Sequence, residues 1–258
     1  MTEPAKITTE RRGHVLHVGL NRPAKMNAFD GEMLRQLGAA FDLLEADDDL
    51  RCGLVFAHGE HFTAGLDLAN VGPELTEGRL DLGGGIDPWA IRGKVRTKPF
   101  VSAVRGRCLT IGIETVLASD VCVAASNARF AQIEIKRGIF PFGGATFRLV
   151  ERAGWGNAMR YLLTGDEFDA AEAHRIGLVQ EVTEPGQEVA RAAAIAETIA
   201  AQAPRGVRAT LASARAWLDE RAAADALAPV ILELMKSEDA AEGLKSFLER
   251  RAARFSGT

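Results

Sequence analysis

The 258-residue sequence predicts an α/β fold, and two patterns carry that expectation. Up to about Val182, short runs of β-forming residues alternate with short stretches at helical spacing. Beyond Pro185, Ala, Arg, Leu and Glu recur at helical spacing and only helices are convincing. With 47% hydrophobic residues, 26% charged residues and a mean hydropathy near zero, the chain has the profile of an ordinary globular protein. Such alternation implies right-handed crossovers, although the pattern alone does not separate a flat sheet from a coiled stack of turns.

Taken in order, Val15 to Leu20 reads as a strand. Glu32 to Glu45 reads as an amphipathic helix, with Met33, Leu34, Leu37, Phe41 and Leu44 on one side. Cys52 to Ala57, Phe100 to Val104 and Val121 to Ala125 read as buried strands. Between the last two, Ile111 to Ala118 has room for about two helical turns. Helical stretches follow at Ala145 to Arg152, Asn157 to Leu163 and Ala170 to Arg175, then a brief strand at Leu178 to Val182. In the last quarter Pro204 suits the first position of a helix and Ser237 suits a cap, so three or four helices reach about Ala253. The change of composition predicts a core over 1–184 and a helical region over 185–258.

A net charge of -4 leaves no basic footprint for nucleic acid; Arg250 to Arg254 is basic but short. No run approaches the ~18 apolar residues of a membrane span, and Met1 to Glu10 lacks the order of a signal peptide, so a cytosolic protein is expected. Cys52, Cys108 and Cys122 lie in or beside apolar runs and read as reduced buried thiols. His58 and His61 share an H-x-x-H spacing, but no third ligand completes a metal shell. No G-x-G-x-x-G fingerprint opens a helix, so neither a metal nor a redox nucleotide is expected.

Three segments invite a chemical reading. In Phe62-Thr63-Ala64-Gly65-Leu66-Asp67-Leu68, small residues would let the backbone approach a ligand, although a plain strand-to-helix turn has the same composition. Gly106 to Glu114 joins a strand to a helix whose first amides could stabilise an anion, or simply form a turn. Glu114 stands among Ile111, Ile113, Val116 and Leu117, and Glu134 between Ile133 and Ile135. A carboxylate buried in such surroundings has a raised pKa, as acids and bases near neutral pH require. Taken alone, a charged residue alternating with apolar ones is more often part of a solvated face, and that holds for either glutamate.

In order, spacing and content these segments resemble the enoyl-CoA hydratase/isomerase (crotonase) family. The resemblance begins at Leu20-Asn21-Arg22-Pro23-Ala24-Lys25-Met26-Asn27-Ala28-Phe29. It runs through Phe62 to Leu68, Gly112-Ile113-Glu114, Phe130-Ala131-Gln132-Ile133-Glu134 and Gly138 to Gly144. It continues from Leu163-Thr164-Gly165 to Gly177-Leu178-Val179 and ends at Ser237-Glu238-Asp239-Ala240 and Phe247-Leu248. It implies a crotonase-like spiral of ββα turns with a C-terminal helical region, assembled as a homotrimer or homohexamer, and no cofactor beyond the CoA of the substrate. The implied site holds an acyl-CoA thioester with its carbonyl oxygen between the amides of Leu66 and Ile111. Ala64, Lys25, Asp67 and Trp89 are the implied substrate-binding residues, the Ala64 carbonyl facing adenine. Glu114 and Glu134 match the pair that adds water to a 2-enoyl-CoA, giving a 3-hydroxyacyl-CoA: Glu114 deprotonates the water that attacks C3, and Glu134 delivers a proton to C2.

One departure stands out, because family hydratases run several glycines before the first glutamate where this chain has Thr110-Ile111-Gly112-Ile113. The segment from Val71 to Lys98, with Gly83-Gly84-Gly85 and Trp89, reads either as a flap over the acyl chain or as a surface loop. Double-bond isomerisation and a weakly catalytic acyl-CoA-binding subunit are the alternative functions, since fold does not dictate chemistry.

Overall fold

The computed structural model describes residues 5–71, 85–91, 94–137, 139–216, 236–249, 251 and 253–258. Two sheets organise it. The larger has six strands in the order β1 (Ile7–Arg12), β2 (Val15–Leu20), β3 (Cys52–Ala57), β4 (Phe100–Val104), β6 (Val121–Ala125) and β9 (Glu181–Thr183). Only β1 and β2 pair antiparallel, and every later neighbour is parallel. The smaller sheet joins β5 (Arg107–Leu109), β7 (Arg129–Ala131) and β8 (Phe168–Asp169).

These pairings resolve the coiled stack that the alternation left open. The chain runs along β4 in the large sheet, turns through Gly106 into β5 in the small sheet, and then enters α2 (Ile111–Ala118). The next turn repeats the move through β6, β7 and a 3-10 turn at Glu134–Arg137. In the preceding turn Thr63 takes the small-sheet position as a bridge to Cys108. Each turn therefore delivers its second strand and the start of its helix to one side of the stack.

Helix α1 (Gly31–Ala46) starts where the Asp30 side chain accepts from the Met33 amide at 2.9 Å. It buries Met33, Leu34, Leu37, Phe41 and Leu44 against Phe100 and the strands. Its far end is held by Lys98, 1% exposed, whose Nζ donates to the carbonyls of Leu44 and Asp47 at 2.8 and 2.7 Å. Beyond α3 (Ala145–Ala153), α4 (Trp155–Thr164) and α5 (Ala170–Arg175), helix α6 (Glu188–Ala200) covers the second face of the large sheet. Ala192, Ala196 and Ala200, one turn apart, let it settle onto Val15, Cys52, Leu54, Val101, Ala103 and Val123. Chain from beyond Pro185 thus completes this second core, while α7 (Pro204–Arg215) and α8 (Glu238–Glu249) follow it.

The main strands and α2 lie where the apolar runs place them, whereas β1, β5, β7 and β8 have no sequence signal above their surroundings. The brief strand expected at Leu178 to Val182 starts three residues later and ends one later, at Glu181–Thr183, because Leu178 and Val179 are spent burying the end of α5. Of the expected flap, 72–84 lies outside the described residues; Ile86 and Trp89 are buried in the main core. Leu227, Val230, Ile231, Leu234 and Met235, whose spacing in the sequence predicts an apolar helix face, also lie outside the described residues.

Candidate active site

The site is assembled where three successive turns meet. The block Arg22 to Ala28 positions the first loop. Buried Asn27 donates to the carbonyls of His58 and His61 at 2.9 and 2.8 Å, and its own carbonyl accepts from Thr63 Oγ1 at 2.7 Å. Arg22 pairs with Asp67 at 2.8 Å and donates to the Ala28 carbonyl at 2.8 Å. Asp67 is thus held by Arg22 and Asn70, and its carboxyl lies below the usual carboxylate range because of them. Lys25 lies exposed at the end of the 3-10 turn Pro23–Lys25.

Phe29 forms a parallel bridge to Leu66, donating to the Gly65 carbonyl at 2.8 Å and accepting from the Asp67 amide at 2.8 Å. In such a bridge the Leu66 amide points away from Phe29. The Ile111 amide opens α2 and belongs to the first turn, whose donors have no partner inside the helix. Gly112 makes this close approach possible: a Cβ there would stand 2.6 Å from Thr63 Cγ2 and 3.1 Å from Cys108 Sγ. Ala64 is partly exposed beside Leu66, its amide donating to the Met26 carbonyl at 2.9 Å.

Glu114, 4% exposed, projects from α2. Its Oε1 accepts from the Gly143 amide at 2.6 Å and from the Ala145 amide at 3.4 Å, at the start of α3. Burial pushes its carboxyl upward, opposed by those two amides, which favour the ionised form. Glu134 opens the 3-10 turn and is 7% exposed. Burial first, and then the Glu114 charge, raise its carboxyl to about 7 against the opposing bond from its own amide, and its Oε2 is buried without a partner. The two glutamates are therefore electrostatically coupled, one fixed by backbone amides and the other left with a free oxygen. That difference suits a base whose ionised form two amides favour against its burial and an acid that keeps its proton near neutrality.

Trp89 lies in the core rather than in an open groove: its Nε1 donates to Thr115 Oγ1 at 2.9 Å and its ring meets Phe29 edge-on at 6.1 Å. Gly143 is the residue whose role sequence reasoning missed, although it stands in the Gly138 to Gly144 run. A Cβ on it would come within 2.7 Å of Glu114 Cδ, so only glycine brings this amide to the carboxylate. His58 meets Thr8 Oγ1 at 2.8 Å and His61 Nδ1 accepts from the Arg107 amide at 3.2 Å, so the two rings serve separate contacts. Among the described residues no group of three His, Cys, Asp or Glu could hold a metal ion, and no helix is long and apolar enough to cross a membrane. Two open clefts, of about 540 and 690 Å³, lie away from both glutamates, around Tyr161 and around Arg105.

A coiled ββα stack that brings two electrostatically coupled, buried glutamates together from successive turns has the makings of an acid–base enzyme site. The sequence profile described as "Enoyl-CoA hydratase/isomerase" matches residues 10–258. The chain belongs to that family and is an enzyme of the enoyl-CoA hydratase type. It is 36% identical to "Enoyl-CoA hydratase EchA19" of Mycobacterium tuberculosis, over 95% of this chain and 94% of that protein. It is 34% identical to "(E)-benzylidenesuccinyl-CoA hydratase" of Thauera aromatica, over 97% of this chain and 99% of that one. Its fold matches the crystal structure of a probable enoyl-CoA hydratase/isomerase from Mycobacterium abscessus with a TM-score of 0.95 and 51% identity, over 98% of this chain and 99% of that one. The crotonase fold and its helical C-terminal region are thereby established.

Proposed function

We propose that the protein hydrates a 2-enoyl-CoA reversibly to the 3-hydroxyacyl-CoA, with Glu114 as base and Glu134 as acid. The observation that carries the reading is the coupled pair: Glu114 bound by the Gly143 amide at 2.6 Å, and Glu134 raised to about 7 with an unpartnered oxygen. The thioester oxygen lies between the Leu66 and Ile111 amides, which stabilise the enolate more than the ground state; loss of one such donor costs ~3 kcal/mol in comparable sites. Glu114 takes a proton from the water that attacks C3, and Glu134 gives one to C2. Both carboxylates are needed for water addition, whereas moving a double bond requires only one group to shuttle a proton. The presence of the pair therefore favours hydration over isomerisation. Ala64 borders adenine, with Lys25 at the exposed edge. A panel of 2-enoyl-CoA esters tests the reading through loss of the conjugated-thioester absorbance; binding of every ester without turnover would indicate an acyl-CoA-binding subunit instead.

The pH profile follows from the acid. Hydration needs Glu134 protonated, so kcat/KM for hydration is expected to fall as pH rises above about 7. The sign for stability is the same: a carboxyl raised from 4.5 to about 7 holds its proton more tightly in the folded state, and the resulting stability, full below 4.5, is lost as pH rises through about 7. Thermal melts of wild type and Glu134→Gln should show the wild type losing ground between pH 5 and pH 8.

No metal or redox cofactor enters this mechanism, so dialysis against a strong chelator should leave the rate unchanged; restoration of a lost rate by zinc would implicate His58 and His61. We further propose a homotrimer or homohexamer acting in the cytosol. Supporting the assembly are exposed apolar side chains from one stretch of chain, among them Phe140, Phe147, Trp155 and Leu163, the last two 71% and 66% exposed. Supporting the compartment are three buried, unpaired cysteines. Sedimentation at micromolar concentration is expected to show the oligomer, and a stable monomer would refute it.

A further inference from the structure

The chain's own departure from the family's glycines supplies a group to this site. Thr110 is a β-branched residue at φ 50 and ψ -112, a backbone region that side chains other than glycine rarely occupy. It is held there from both sides: its amide donates to the Ala131 carbonyl at 3.0 Å, and its carbonyl accepts from the Glu114 amide at 3.2 Å. Strain of this kind gathers at functional sites, where it places a group that a relaxed backbone would not.

The group placed is a hydroxyl. Thr110 immediately precedes Ile111, and Gly65 immediately precedes Leu66, so the two residues flank the two amide donors. A Cβ built on Gly65, itself at φ 102, would lie 3.5 Å from Thr110 Cβ and 3.7 Å from Cγ2, and closest of all to Oγ1. The hydroxyl, not the methyl, therefore faces the loop that carries Leu66. It makes no cap bond to its own helix, and among the described residues it has no other hydrogen-bond partner. In the following turn of the stack the Glu134 Oε2 is buried and also lacks a hydrogen-bond partner.

We propose that the Thr110 hydroxyl is a third hydrogen-bond donor to the thioester oxygen, acting with the amides of Leu66 and Ile111. The inference rests on the hydratase reading. A donor aimed at that oxygen bonds the enolate more strongly than the ground-state carbonyl, so its loss lowers kcat and leaves KM nearly unchanged. Two comparisons test it, one on turnover and one on binding. With crotonyl-CoA, Thr110→Ser should keep kcat within about twofold, while Thr110→Ala and Thr110→Val should lose roughly 10- to 100-fold. Thr110→Gly should lose as much although its melting temperature rises, because glycine accepts φ 50 without strain. Wild-type turnover in Thr110→Ala or Thr110→Gly, or a Thr110→Ser as slow as Thr110→Ala, would overturn the proposal. In the binding comparison, affinity for acetoacetyl-CoA, whose acidic C2 allows a bound enolate, should fall in Thr110→Val while affinity for butyryl-CoA stays. Equal loss for both, or loss for neither, would overturn it. If the wild type binds these esters but does not hydrate crotonyl-CoA, the hydratase reading fails, and the binding comparison still decides the donor by the same two outcomes.

Discussion

Glu114→Gln is expected to keep the fold and acyl-CoA binding and to lower hydration by roughly 10²- to 10⁴-fold, the usual contribution of a positioned acid or base. The amide that replaces the carboxylate can still hold a water through its oxygen, but it cannot take that water's proton. Folding should survive because the substitution keeps an oxygen acceptor for the Gly143 amide, which otherwise would lose its 2.6 Å bond. Glu134→Gln should lower hydration by a similar factor, because C2 then lacks its proton donor. The double variant should be little worse than the worse single one, since residues that act as a unit do not contribute additively. Initial rates of absorbance loss with crotonyl-CoA measure all three, and near-normal hydration in either single variant would remove that glutamate from the mechanism.

The second large effect is expected from a residue that touches no substrate. Gly143→Ala places a Cβ within 2.7 Å of Glu114 Cδ and closer still to its Oε2. The carboxylate cannot yield easily, because it is enclosed between α2 and the start of α3, with Ala145 buried beside it. Either Glu114 turns away or the Gly143 strand of backbone retreats, and both break the short bond that favours the ionised base. A displacement of about 1 Å at such a group costs on the order of 10²-fold in rate. The loss should fall on kcat, while thermal melting changes by only a few degrees, since Ile139, Phe140 and Phe142 just ahead of Gly143 are exposed rather than packed in the core. Unchanged kcat in Gly143→Ala would show that the amide does not set the position or charge of Glu114.

The parts of this site that were legible in the sequence are those whose function demands a residue type in a local pattern. Glu114 and Glu134 are carboxylates among isoleucines, a mismatch that alone fits a solvated face and that the resemblance to a family singled out as a pair. The spiral itself was not legible from periodicity, because its small-sheet strands are three residues long or shorter and lack a run in which alternation could register. Resemblance to a family supplied the topology that the pattern withheld. Gly143 was hidden for another reason: its role depends on a contact with a residue 29 positions away, and one glycine in a run of glycine, proline and phenylalanine looks like a loop. Lys98 is comparable. A lysine is ordinarily exposed, and only the meeting of β4's approach with the end of α1 makes it a buried cap. Trp89 shows the opposite case, since an aromatic next to glycines reads as part of a flap or of a surface loop, whereas its indole is tied to Thr115 in the core.

The division of labour between the two carboxylates is tested most directly by deuterium uptake at C2 of a saturated acyl-CoA, followed by NMR in heavy water. This exchange needs a base at C2 and donors at the thioester oxygen, but no attacking water, so it isolates Glu134 from Glu114. The account predicts that Glu114→Gln retains measurable exchange while losing hydration, and that Glu134→Gln loses both. Near-normal C2 exchange in Glu134→Gln, or exchange abolished in Glu114→Gln alone, would contradict it.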